Sequence, residues 1–485
     1  MKKGLILFFS VIIISFMTIT VAGESNEEEY FSVVLKNNAK VQQFMKELEA
    51  TGAEIVYEVP EIGYYQVKGK ANDLKKIKGF KSVTAANHSF SWSVPEQVRI
   101  DLDGDLNIEA TGDLSNTMPV YWDLQWDIKR ITQDGASFDL HTGSHDTVVA
   151  ILDTGINPYH IDLAPNLVPG SKNFVPAGGF RGLEPYETGD PNNIIDINGH
   201  GSHVAGSIAG AGNGMYGVAP DLGIRAYRVF GNSSAETAWI LKAMIAAADD
   251  GSDVLSMSLG GFSLFGQVFV KNPETGKWEN AGNDVADYIA YKRAAKYVAD
   301  KGGIIVTSAG NDGLDFRNNK EIMDFIRENY GTDEIQFRGT VKNVPSEIPG
   351  IINVAATGPN DVLAVYSNYG SGFIDIATVG GDSRLYDQYE AEGRLDEYLA
   401  NNLHYYEFNL STSDHSPTGY YFSIGTSMAT PKVSAVVGLI IDKHDGKLKP
   451  KQVEHILLKK GVDKVKGNER QYFGNGHLNA VKALQ

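Results

Sequence analysis

Hydrophobic positions follow two different rhythms along the chain. Over residues 30–90, short alternating runs bracket two helical stretches. "YFSVVLK", "AEIVYEV", "YYQVKGK" and "KSVTAANHSF" predict strands. "NAKVQQFMKELEATG" predicts a helix with Val41, Phe44, Met45 and Leu48 on one face and a stop at Gly52, and "NDLKKIKGF" predicts a shorter one. The β-α-β-β-α-β order predicts a small ferredoxin-like α+β domain. From about Val120 the rhythm changes. Strand-length apolar runs such as "DTVVAILDTG", "SDVLSMSLGG" and "GIIVTSAGNDG" alternate with helical stretches such as "ETAWILKAMIAAADDG" and "DYIAYKRAAKYVADKG". That pattern predicts an α/β domain, a parallel sheet flanked by helices. In such sheets chemistry collects beyond the carboxyl ends of the strands, and Asp153 and Asn311 stand where predicted strands finish. Residues 91–120 are acidic, turn-rich and without periodicity, and read as an exposed, cleavable linker.

The first residues add an address. Lys2 and Lys3 precede an apolar stretch from Gly4 to Val21 and small residues at Ala22 and Gly23, the layout of a signal peptide over residues 1–23. The stretch is long enough to serve as an uncleaved membrane anchor, but secretion is the preferred expectation, since no later segment is apolar enough to span. The chain ends "VKALQ" with no sorting motif, so wall anchoring is not expected. The absence of cysteine excludes disulfides, thiolate metal sites and a cysteine nucleophile. A formal net charge of −17 argues against a nucleic-acid partner and fits either plain solubility or attraction of a cationic substrate.

"YFSIGTSMATPKVSAVVGLII" places Ser427 ahead of Val433, Val436, Val437, Ile440 and Ile441, which recur at helical spacing, with Pro431 fitting a first helical turn. A serine there is ordinarily an N-cap. Three distant stretches change that reading: "AILDTGI" supplies Asp153, "NGHGSHVAG" supplies His200 and "TSAGNDG" supplies Asn311. A serine hydroxyl attacks only once a base takes its proton. An imidazole does so near neutral pH, and a buried carboxylate fixes its tautomer. The resulting oxyanion needs donors, which the Asn311 amide and the Ser427 backbone N–H at a helix N-terminus can supply. Taken singly, Asp153 reads as a turn or cap, His200 as a core histidine and Asn311 as a turn residue.

"ILDTGI", "NGHGSHVAG", "SLGG", "SAGN" and "GTSMATP" resemble the signature segments of the subtilisin-like serine proteases, in that family's Asp, His, Ser order, and "GNGHLNAVKAL" resembles its closing segment. The resemblance implies a secreted serine endopeptidase made as a self-processing zymogen, with a catalytic triad of Asp153, His200 and Ser427 and an oxyanion donor at Asn311. It implies a subtilisin-like catalytic domain over residues 121–485. The unit at residues 24–90 then resembles the family's propeptide, an intramolecular inhibitor, and the enzyme is expected to be a monomer. Ser258, Leu259, Gly260 and Gly261 resemble the strand that receives the substrate backbone. Ser308, Ala309, Gly310 and Asp312 form the facing wall, where Asp312, with Asp315 nearby, would favour Arg or Lys before the cut. The chemistry requires no cofactor. The resemblance leaves room for a structural calcium ion, although the loop "SIAGAGNGMYGVAP" after the histidine helix has few oxygen-bearing side chains. His203, three residues after His200, does not match a zinc-protease helix, because Gly201 and Ser202 stand between them; it is expected to pack behind the base.

Long segments at 262–284, 314–343 and 380–421 exceed the smallest relatives and are expected to extend the rims of the cleft. The stretch "QWDIKRITQDGASFDLHTGSHDTVVAILDTGI" also resembles a Gram-positive branch that removes leader peptides from lantibiotic precursors, which implies cleavage after a basic residue. A reading of another class, an inactive relative that binds peptides in the same cleft, is opposed by the absence of any substituted catalytic position.

Overall fold

The computed structural model describes residues 28–89, 91–94, 97–102, 118–232, 234–272 and 275–485. The signal segment expected at residues 1–23 lies outside them. The N-terminal unit comprises β1 (Glu29–Leu35), α1 (Val41–Leu48), β2 (Glu54–Val59), β3 (Tyr64–Gly69), α2 (Ala71–Lys78) and β4 (Val83–His88). Its antiparallel sheet runs β2-β3-β1-β4, the ferredoxin-like order. Phe44 and Leu48 of α1 are buried against Phe31, Val33, Tyr65 and Val67, and Val41 and Met45 pack at the edge of that core. The helix is shorter than its sequence pattern because Asn38–Lys40 form a 3-10 turn ahead of it.

Two short strands follow, β5 (Ser91–Ser93) and β6 (Ile100–Asp101). The second unit then opens with α3 (Trp126–Thr132), β7 (Val148–Asp153), β8 (Lys172–Asn173), α4 (His200–Ala209), β9 (Gly223–Arg228), β10 (Ser234–Glu236), α5 (Thr237–Asp249) and β11 (Val254–Met257). It continues through β12 (Gly261–Lys271), β13 (Trp278–Gly282), α6 (Val285–Asp300), β14 (Ile304–Ser308), α7 (Asn319–Tyr330), β15 (Ile335–Val344), β16 (Ile351–Thr357) and β17 (Ile376–Val379). It closes with α8 (Arg384–Ala391), α9 (Leu395–Ala400), α10 (His404–Glu407), β18 (Asn409–Thr412), β19 (Tyr420–Ser423), α11 (Thr426–Lys443), α12 (Pro450–Lys459), β20 (Val462–Asp463) and β21 (His477–Leu478).

Nine strands form the central sheet in the order β20-β21-β17-β16-β14-β11-β7-β9-β8, all parallel except the β20–β21 edge pair. Successive residues of β7 serve opposite faces. Val149 and Ile151 pack with Val204, Ile208, Val433 and Val437 of α4 and α11, whereas Ala150 and Leu152 pack with Trp239, Ile240 and Tyr291 of α5 and α6. Coverage of both faces is why β7, β14 and β16 are buried throughout and largely apolar.

The described parts of the segments expected as rim extensions form regular elements. β13, β12 and β15 make a separate antiparallel sheet. With α7 they close a core of their own around Phe262, Leu264, Phe316, Ile322, Ile326 and Phe337. The third segment forms α8, α9, α10 and the hairpin β18–β19.

The N-terminal unit sits on α5 and α6. Asn87 accepts from the Ala286 N–H (2.7 Å) at the start of α6 and donates to Asp287 Oδ2 (2.6 Å); Ser32 donates to Asp287 Oδ1 (2.7 Å). Lys242 pairs with Glu61 at 3.0 Å, and Arg293 donates to the Ile62 carbonyl at 2.9 Å. Burial among these groups pushes the Asp287 carboxyl up to about 7.

The described ends of the 91–120 segment differ from the expected exposed linker. β5 pairs antiparallel with β10, Trp92 is buried, and its indole donates to Thr237 Oγ1 at 3.1 Å. Further along, β6 pairs with β19, Tyr421 opposite Asp101 and Phe422 opposite Ile100. Backbone pairing holds both stretches where composition alone suggested solvent.

Candidate active site

Asp153 is the last residue of β7 and His200 the first of α4. They meet because α4 packs almost onto the turn after β7. A Cβ at Gly201 would lie 2.1 Å from the Gly155 carbonyl oxygen, so the position admits only glycine. Asp196 fixes the entry to the helix. Its Oδ1 accepts from Thr154 Oγ1 (2.9 Å) and the Gly199 N–H (2.9 Å), and its Oδ2 from the Ser202 N–H (2.8 Å) and hydroxyl (2.7 Å). The outcome is a bond of 2.8 Å between His200 Nδ1 and Asp153 Oδ1, with both side chains 1% exposed. Asp153 Oδ1 also accepts from the Thr154 N–H at 2.8 Å. Bonding at Nδ1 leaves His200 Nε2 buried and without a partner among the described residues.

Ser427 is the second residue of α11, one turn below Pro431. Pro431 lies in the second turn of the helix and not the first as its sequence context suggested. It has no N–H for the Ser427 carbonyl, and the Ser258 hydroxyl takes that place at 2.8 Å. The Ser427 hydroxyl in turn donates to the Ser258 carbonyl at 3.2 Å. Asn311, just past β14, accepts at Oδ1 from the Thr426 N–H (2.9 Å) and hydroxyl (2.8 Å). Two donors on Oδ1 settle the orientation of the amide, and Nδ2 lies beside Gly425 at the mouth of the helix. Gly425 has φ +149, which a side chain would strain.

Ser258, Leu259 and Gly260 lie past the end of β11, and Gly261 opens β12 opposite Val344. Leu259 turns its side chain into the core on the α5–α6 face. On the other side, Ser308 ends β14 and its carbonyl accepts from the Ser346 hydroxyl at 2.8 Å. The Ala309 carbonyl accepts from Asn368 Nδ2 (3.0 Å) and Asn343 Nδ2 (3.2 Å), and the Gly310 N–H donates to Thr426 Oγ1 (3.2 Å). Asn368 organises this wall, and nothing in its turn-like surroundings marked it in the sequence. Its Oδ1 accepts the N–H groups of Asp312 and Leu314, and its amide donates to Asp312 Oδ2 at 2.9 Å. Asp312 Oδ1 is buried without a partner among the described residues, and burial pushes the carboxyl up to about 6. Asp315 accepts the Arg317 N–H at 2.9 Å.

His203 packs behind the pair. Its Nε2 donates to the Asn409 carbonyl at 3.1 Å, its ring meets Tyr421 edge-on at 4.7 Å, and burial holds it well below the usual imidazole range. Among the described residues no cluster of three or more His, Asp or Glu side chains suits a metal ion. The loop after α4 is organised by Asp162. Its carboxylate accepts from the N–H groups of Asn213 (2.6 Å), Gly214 (3.0 Å) and Met215 (3.1 Å) and from the Tyr420 hydroxyl (2.6 Å). A calcium ion on Asp162 would have to displace these donors, so that loop does not fit one.

The Subtilase family, Peptidase S8, matches residues 144–476. The chain is 33% identical to the epidermin leader peptide-processing serine protease EpiP of Staphylococcus epidermidis, over 95% of this chain and 94% of that one. It is also 33% identical to the nisin leader peptide-processing serine protease NisP of Lactococcus lactis, over 75% of this chain and 49% of that one. The crystal structure of EpiP from Staphylococcus aureus superimposes with a TM-score of 0.78 at 31% identity, covering 94% of this chain and 98% of that one. No helix among the described residues is long and apolar enough to cross a membrane. The chain belongs to the subtilase family: it is a serine protease that hydrolyses peptide substrates by a chemistry needing no cofactor.

Proposed function

We propose that Asp153, His200, Ser427 and Asn311 carry the reaction. The observation that supports this most directly is the 2.8 Å Asp153–His200 bond, which commits Nδ1 and leaves Nε2 buried and without a partner among the described residues. Ser427 Oγ leaves the Ser258 carbonyl, transfers its proton to His200 Nε2 and attacks the substrate carbonyl. Asp153 holds the ring and stabilises the imidazolium. The tetrahedral oxyanion receives hydrogen bonds from Asn311 Nδ2 and the Ser427 N–H. His200 then protonates the departing amine, and water hydrolyses the acyl-enzyme by the same route in reverse. Ser427→Ala should abolish both peptide cleavage and self-processing; purified variant that still releases its N-terminal unit would refute the assignment.

The substrate we propose is the leader segment of a lantibiotic precursor, cut after a basic residue. Similarity to EpiP over nearly the whole chain supports the substrate class, and the half-buried Asp312 supports the basic residue. The unit at residues 24–90, seated on α5 and α6, acts as the intramolecular inhibitor of an exported monomeric zymogen, with the self-cleavage point between about His88 and Asp123.

A further inference from the structure

The linker carries a cation into a pocket beside His200. Arg99 Nη1 meets Asp414 Oδ1 at 2.8 Å, and Nη2 donates to Ser413 Oγ at 2.9 Å. Its Nε and Nη2 also meet Asp101 Oδ1 at 2.9 and 2.8 Å, and the guanidinium carbon lies 4.1 Å over the Tyr421 ring. This is a formed seat. With Arg99 in place the Asp414 side chain is 3% exposed, and its other oxygen meets the largely exposed His415 at 3.0 Å. Tyr421 is fully buried, its hydroxyl within hydrogen-bond distance of the Gly199 carbonyl (2.8 Å) and Gln97 Oε1 (2.9 Å). A Cβ on Gly199 would fall 2.6 Å from Arg99 Nη1, so the guanidinium crosses the residue directly before His200.

Chemistry gives this location a side. His200 must hand its proton to the departing amine, so residues C-terminal to the cut lie next to the histidine. Arg99 directly precedes β6, the later of the two anchored strands, and the earlier, β5, lies on β10. We infer that Asp414, Ser413 and Tyr421 form a leaving-side subsite for an Arg or Lys side chain of the substrate, which Arg99 fills until the linker departs. This rests on the protease reading above. Removal of Arg99 leaves the Asp414 carboxylate without its guanidinium partner beside an aromatic face, and a guanidinium or ammonium restores the lost charge-assisted bonds.

The test uses enzyme that has processed itself from the full chain. Internally quenched peptides would carry Arg, norleucine or Glu at successive positions after the cut, with a peptide nitroanilide, which has no leaving-side residue, measured alongside. At one position Arg should exceed norleucine by at least about tenfold in kcat/KM, with Glu poorest, and Asp414→Asn should bring the Arg-to-norleucine ratio to about one. The wild-type scan decides alone should that variant fail to fold. No preference at any position, or one that Asp414→Asn leaves intact, overturns the subsite. Failure of the same preparation to cleave the nitroanilide would strike the protease reading itself and take the subsite with it.

Discussion

Ser258 and Ser427 hold each other twice, the Ser258 hydroxyl on the Ser427 carbonyl at 2.8 Å and the Ser427 hydroxyl on the Ser258 carbonyl at 3.2 Å. The first bond exists because Pro431 withholds the helical donor. Ser258→Ala therefore strands a buried carbonyl and should destabilise the full chain by about 1–3 kcal/mol in denaturant unfolding. In a Pro431→Ala background the helix recovers its own donor, and the same substitution should cost clearly less. Equal costs in both backgrounds would show that the bond does not replace the missing helical one.

Asn311 Oδ1 accepts from the Thr426 N–H and hydroxyl, which fixes which end of the amide bears the donor hydrogens offered to substrate oxygen. Asn311→Ala should lower kcat by roughly 10²- to 10³-fold with KM little changed. Steady-state kinetics on one peptide suffice, and a loss confined to KM would reject the oxyanion role.

Asp312 is raised to about 6 by burial, so it is charged only above that pH in the free enzyme. Preference for Arg over an uncharged residue before the cut should be full near pH 8 and fade as pH falls through about 6. Asp312→Asn should remove it at every pH. A flat preference across a peptide library at pH 8 discards the proposal.

Release of the N-terminal unit should depend on pH through Asp287. Its carboxyl is raised from 3.8 to about 7 by burial, with Asp284 and Glu236 adding repulsion and the bonds from Ser32 and Asn87 opposing. Tyr64 and Tyr291 also face it. In the separated catalytic unit the carboxyl returns towards its ordinary value, so the assembled form binds more protons. Affinity should fall as pH rises from about 4 to about 7 and level off above. Titration calorimetry of the two separated pieces measures this, and Asp287→Asn should flatten the profile.

The four proposed catalytic side chains were legible because each sits in a short local pattern, at a strand end or helix start, that survives without knowledge of the fold. The parallel sheet was legible from strands buried on both faces. Asn368 was not, because an asparagine near Gly370 and Gly372 reads as an ordinary turn; only folding brings its amide onto Ala309 and Asp312. The Arg99 seat depends on residues more than three hundred positions apart, beyond any local pattern. The sheet of β12, β13 and β15 was hidden because Gly266, Gln267 and Gly339 interrupt the apolar alternation that marks a strand.

The central claim is that Ser427 becomes an attacking group through His200. Labelling of the processed enzyme with a fluorophosphonate, followed by peptide mapping, tests it most directly. One adduct per chain on Ser427, formed by the self-processed wild type and lost in His200→Ala whose N-terminal unit has been cut away by an added protease, is predicted. An adduct on another residue, or undiminished labelling of Ser427 without the histidine, would contradict it.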